Sequence, residues 1–175
     1  IMTVGAGSSI NVIMKTIFDP GDKQVVFAPY FVEYANWASN YHAETVVVPP
    51  NEANGFEPDP EALKKALDPK VKVVIINNPN NPTGAIYSRE TLEKIAEVLK
   101  EAEKEYGHPI YIITDEPYRE LVYVDKEIVF IPDLYDNTII AYSWSKSLSI
   151  PGDRLGYLAV SPKSDNVDEF MAAAT

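Results

Sequence analysis

Six apolar runs constrain this chain more than any other feature: "KQVVFAP" (23–29), "ETVVVPP" (44–50), "VKVVIIN" (71–77), "PIYIITD" (109–115), "NTIIAYS" (137–143) and "RLGYLAVS" (154–161). A strand with one face in water alternates apolar and polar residues, whereas these runs are continuous and rich in Val and Ile. Such strands need cover on both faces, which points to a mostly parallel sheet between helical layers. Helical periodicity fills the gaps between them. Residues 8–18 place Ile10, Ile13, Met14 and Ile17 on one face, and residues 31–41 form a second helix. "DPEALKKALD" (59–68) opens with an acid and a proline and spaces Leu63, Ala66 and Leu67 at core positions. Ser88 caps a long helix over 89–106, with Leu92, Ile95, Ala96 and Leu99 inward and Gly107 as terminator. A short helix is expected near "EPYREL" (116–121), and a last one from Ser164 or Asp165. The reading is α/β: three layers, α/β/α, around a mixed sheet of about seven strands, with residues 1–175 as one domain.

The chain has 46% hydrophobic residues in 175, enough to bury a core of ordinary size. No segment has the ~20 apolar residues of a membrane span. Cysteine is absent, which removes disulfides, thiolate metal sites and a cysteine nucleophile. His42 and His108 have no ligand partner at helical spacing, so no metal site is expected. A net charge of −11 opposes a general nucleic-acid binder and suits a cytoplasmic protein.

In parallel α/β sheets, ligands sit at the carboxyl ends of the strands, and here those ends carry the polar residues. "VVIIN" breaks into "NPNNPTG", with four asparagines between 77 and 81; "YIIT" ends in Asp115, Glu116, Pro117 and Tyr118; "IIAYS" runs into Trp144, Ser145 and Lys146. "TVGAGSS" opens the first helix, whose free N–H groups form a ready anion site. An anion cradle, a carboxylate, a lysine, hydroxyls and an aromatic suit a phosphorylated, cationic heterocycle held covalently. Each residue also has a plainer reading. Lys146 alone is a solvated lysine. Asp115 could cap the helix expected after it, Asn81 could simply make a turn, and Phe31 could be core. Arg154 could pair with Asp153 on the surface.

The motifs "NNPNNPTG", "DEPY", "SWSK" and "PGDRLGY", in that order and with "DPGD…PYF…Y" and "NGF" before them, resemble the large-domain core of fold-type-I pyridoxal-phosphate (PLP) enzymes. The class I/II aminotransferases of the aspartate aminotransferase superfamily are the nearest match, and the resemblance spans essentially the whole chain. It implies Lys146 as the residue that forms the Schiff base with pyridoxal 5'-phosphate and shuttles a proton. It implies Asp115 as partner of the pyridine nitrogen, and Asn81 and Tyr118 as partners of the phenolic oxygen. Phe31 is implied as the ring's stacking platform, and Ala6, Gly7, Ser143, Ser145 and Arg154 as the phosphate cradle. A cis Asn81–Pro82 bond is expected, with Ala28–Pro29 a second place to look.

The implied reaction moves an amino group between an amino acid and a 2-oxo acid, in a homodimer. Alternatives on the same scaffold are a C–S β-lyase, a decarboxylase, or the ligand-sensing domain of a transcription regulator. Apolar residues at the start and an uncapped helix at the end suggest a piece of a longer protein. An N-terminal segment and a small C-terminal domain, which holds the family's substrate-carboxylate arginine, would lie outside it. Such a piece alone is expected to bind PLP weakly and to show little activity.

Overall fold

A computed structural model describes residues 1–175. Seven strands form one sheet: β1 (Met2–Thr3), β2 (Lys23–Phe27), β3 (Glu44–Val48), β4 (Val71–Asn77), β5 (Tyr111–Asp115), β6 (Thr138–Ser143) and β7 (Gly156–Val160). Their order is β1-β7-β6-β5-β4-β2-β3; β7 runs antiparallel to both neighbours, and the other pairings are parallel. The main helices are α1 (Ala6–Ile17), α2 (Glu33–Ser39), α3 (Pro60–Ala66), α4 (Arg89–Tyr106), α5 (Trp144–Ser147) and α6 (Val167–Ala173). No helix is long and apolar enough to cross a membrane.

Strand β4 shows why its sequence does not alternate. Val73, Val74, Ile75 and Ile76 are all at most 3% exposed, yet successive side chains point to opposite faces. Val74 and Ile76 join α3 and α4 in one core, with Leu63, Ile95 and Leu99. Val73 and Ile75 join α1, α2 and α6 in the other, with Ile13, Met14, Ala38 and Phe170. These two cores make the three layers.

Local chemistry sets the helix ends. Asp59 accepts from the Glu61 and Ala62 amides, with Pro60 at the first helical position of α3. Ser88 Oγ accepts from Thr91 N at 3.2 Å, and Gly107, at φ 75°, ends α4. Beyond shifts of one or two residues at helix ends, three elements differ from the sequence reading. The "EPYREL" segment is not a helix but consecutive turns, closed by Arg119 N to Glu116 O and Leu121 N to Tyr118 O. Glu116 N still bonds to Ala141 O of β6 at 2.9 Å, so the chain leaves the sheet through turns rather than a regular helix. Helix α6 begins only at Val167, because Asn137 takes the Ser164 hydroxyl and the Asp165 amide into a non-helical turn. Met2–Thr3, not among the six apolar runs, pairs with Tyr157 and Gly156 as the seventh strand.

Register places the strand ends together. Asn77 is level with Asp115, and Asp115 with Ala141; Gly156 pairs with both Ser143 and Thr3. The carboxyl ends of β1, β4, β5 and β6 and the start of β7 therefore share one edge.

Candidate active site

The asparagine–proline loop follows β4, and three of its four asparagines build it. Asn77 Nδ2 donates to the Asp115 carbonyl at 2.8 Å, and its Oδ1 accepts from Asn81 N at 2.6 Å. Asn78 Oδ1 accepts from Tyr87 N, and Asn80 Oδ1 accepts from Thr83 N and Oγ1. Asn81 is different: its side chain makes no hydrogen bond within the protein, and it lines a cleft of about 440 Å³ together with Tyr118. The cis Asn81–Pro82 and Ala28–Pro29 bonds are present, and so is a third, at Asn78–Pro79, that the sequence reading did not single out.

Asp115 is the last residue of β5, so the expected alternative of a helix cap has no helix to cap. One oxygen, Oδ2, accepts from the Tyr34 hydroxyl at 2.5 Å. The other, Oδ1, is buried and has no partner. Burial pushes the carboxyl up to about 6; the Tyr34 hydrogen bond opposes that rise and the neighbouring Glu116 adds to it. A solitary buried carboxylate oxygen costs free energy unless a donor meets it.

Tyr34 is itself 1% exposed. Its ring stands edge-on between Phe31, at 5.6 Å, and Trp37, at 6.0 Å. Phe31 is half-buried against the same core. The sequence reading gave Tyr34 no role. The motif "PYF…Y" contains it, but only the fold brings its hydroxyl to a strand 81 residues further on.

Lys146 lies in α5, exposed, with Nζ 5.9 Å from the centroid of the Tyr118 ring. Tyr118 is half-exposed, and burial and the Asp115 charge both raise its phenol. Ser143 is buried; its hydroxyl caps α5 by accepting from Ser145 N at 3.1 Å, and it lies 2.7 Å from Ser145 Oγ. Ser145 is the more open of the two.

Gly5, Ala6 and Gly7 start α1 with no side-chain cap and no acidic residue in the first turn. The guanidinium of Arg154 stands against this turn, donating to Val4 O at 3.3 Å and Pro151 O at 3.1 Å, and forms no ion pair with Asp153. A Cβ on Gly5 would come within 2.8 Å of Arg154 Nη2, and Gly5 has φ 99°. An uncapped helix start beside a guanidinium has the chemistry to receive an anion.

Comparison with known proteins identifies the family. The model of the aminotransferase class I and II family matches residues 1–174. A probable aspartate/prephenate aminotransferase of Thermus aquaticus is 35% identical over 166 residues, covering 94% of this chain and 41% of that protein. An aspartate aminotransferase of Geobacillus stearothermophilus is 37% identical over 163 residues, covering 91% of this chain and 40% of its own length. The crystal structure of an aminotransferase from Eubacterium rectale superposes with a TM-score of 0.95 at 41% identity, over 99% of this chain and 44% of that one. This chain therefore spans about two-fifths of the length of the relatives it matches. It belongs to the class I and II aminotransferase family, whose members depend on pyridoxal 5'-phosphate.

Proposed function

We propose that residues 1–175 are the cofactor-binding core of a longer, homodimeric, cytoplasmic aminotransferase that moves an amino group between an amino acid and a 2-oxo acid. The observation that carries this reading is Asp115 Oδ1, a buried acceptor with no partner, at the sheet edge whose strand ends and adjoining loops also carry Asn81, Tyr118, Lys146 and Arg154. An acceptor of that kind fits a protonated ring nitrogen, which would satisfy it and favour its charged form.

The rest of the set suits PLP. The amides at the start of α1 and the Arg154 guanidinium would hold the phosphate, with Ser145 beside them. Asn81 and Tyr118 would hydrogen-bond the phenolic oxygen, and Phe31 would lie against the ring. When bound, the cofactor supplies an electron sink for the pair released from the substrate Cα–H bond. Asp115 would keep the ring nitrogen charged, Lys146 Nζ would be the amine that holds the cofactor, and the same nitrogen, once released, would take and return the α-proton. Exposed apolar residues Met2, Val4, Val32, Leu148 and Leu155 flank this edge and suit burial by further protein.

The test is borohydride reduction of the full-length parent with PLP, followed by peptide mapping. A label on Lys146 is expected; a label on any other lysine overturns the assignment. Oxo-acid formation that requires an amino acceptor distinguishes transamination from lyase or decarboxylase chemistry.

A further inference from the structure

Tyr34 is a buried phenol that the chemistry above does not use. Its hydroxyl donates to Asp115 Oδ2 at 2.5 Å, and its main-chain carbonyl accepts from the buried Gln24 amide at 2.8 Å. Gln24 in turn donates to Thr45 Oγ1 at 2.9 Å. A line of hydrogen bonds thus runs from β3 through β2 and α2 to the end of β5. Phe31, three residues before Tyr34 on the same approach to α2, packs against its ring. One helix start therefore places both the aromatic beside the site and the donor to the carboxylate.

We propose that Tyr34 is a positioning residue for the cofactor: its hydroxyl occupies one oxygen of Asp115, fixes the plane of that carboxylate and leaves Oδ1 as the acceptor for the ring nitrogen. The inference rests on the PLP reading above. A carboxylate with both oxygens free could turn about its χ2 axis, which is a broad torsion; a short hydrogen bond to a charged acceptor holds it. The same bond favours the anion that a pyridinium needs, against burial and the adjacent Glu116. The ionisable groups acting on Asp115 are Tyr34 from α2 and Glu116 beside it, and Tyr118 feels its charge in return.

The test is PLP affinity of the full-length parent, by absorbance titration across pH, for wild type, Tyr34→Phe, Asp115→Asn and the double variant. Tyr34→Phe keeps the ring packing and removes one hydrogen bond to a charged group, so affinity should fall about tenfold to a hundredfold. Its acid-side midpoint should move to higher pH, because Asp115 protonates more readily without the donor. In the Asp115→Asn background, Tyr34→Phe should change nothing further, which a merely structural residue would not obey. Incorporation of 3-fluorotyrosine at position 34, a stronger donor of nearly the same shape, should move the midpoint to lower pH and keeps the test open if Tyr34→Phe does not fold. Equal affinity and pH profile in Tyr34→Phe and wild type, equal losses in both backgrounds, or a fluorotyrosine protein with an unmoved midpoint overturn the inference and leave the PLP reading standing. A wild-type protein that binds no PLP overturns both.

Discussion

Substituting Gly156 by alanine tests whether the sheet edge and the anion cradle form one rigid unit. Gly156 opens β7 and pairs with Ser143 on one side and Thr3 on the other. A Cβ built there would lie 2.5 Å from Tyr142 O and 2.8 Å from both C and Cα of Gly5. All three are main-chain atoms, so no flexible side chain can swing aside. Reaching ordinary contact at 3.4 Å requires separations of about 0.9 Å and about 0.6 Å. Overpacking of this kind costs ~1–3 kcal/mol, and the upper part of that range applies where the neighbours are held in a ladder. For a domain of this size, 2–3 kcal/mol lowers Tm by roughly 4–12 °C. Displacing Gly5 also disturbs the start of α1, so affinity for PLP should fall together with Tm. Thermal unfolding by circular dichroism measures the first effect, with Gly152→Ala as control. Nothing lies within 4 Å of a Cβ at Gly152, and a surface change of that sort stays within ~0.5 kcal/mol. If Gly156→Ala melts within about 1 °C of wild type, the close approach of β7 to Gly5 is not a constraint and the reasoning fails.

Two further outcomes follow from the same structure. Burial pushes the Asp115 carboxyl from 3.8 up to about 6, so its favourable contribution is complete below the lower value and is lost as pH rises through the higher one; urea midpoints of Asp115→Asn should lack this fall between roughly pH 4 and pH 7, and a parallel profile would contradict it. Ser88→Ala removes the cap of α4 and one partner of Glu57, whose carboxyl burial pushes up but the hydrogen bonds of Thr91 and Ser88 hold below its usual value; a loss of about 1–2 kcal/mol in thermal or urea unfolding is expected, and an unchanged midpoint would refute the cap's role.

The sequence by itself determined the layers and most helix ends. Continuous Val and Ile runs point to strands buried on both faces, which holds for β4 and β5 but not for the edge strand β3, where Val47 is 44% exposed; Ser88, Asp59, Pro60 and Gly107 act on neighbours within a turn, so their effect is readable without the fold. It also marked Lys146, Asp115 and Asn81 as polar residues that follow apolar runs, and the family resemblance added Arg154, which stands at the start of one. What tertiary structure alone decided are the relations between distant segments. Four adjacent asparagines look equivalent on paper; pairing of β4 with β5 is what engages Asn77 with Asp115, and the fold of the loop leaves the Asn81 side chain without a partner. Met2–Thr3 is too short to register as a strand and becomes one only because β7 offers an edge. "EPYREL" reads as a short helix, and the fold makes it a run of turns. Tyr34 reads as one more core aromatic on α2, and its meaning comes from a hydrogen bond spanning 81 residues. Propensity and capping are local energies and leave local signatures; a buried hydrogen bond between α2 and β5 is created by the packing that joins them, so no short stretch of sequence contains it.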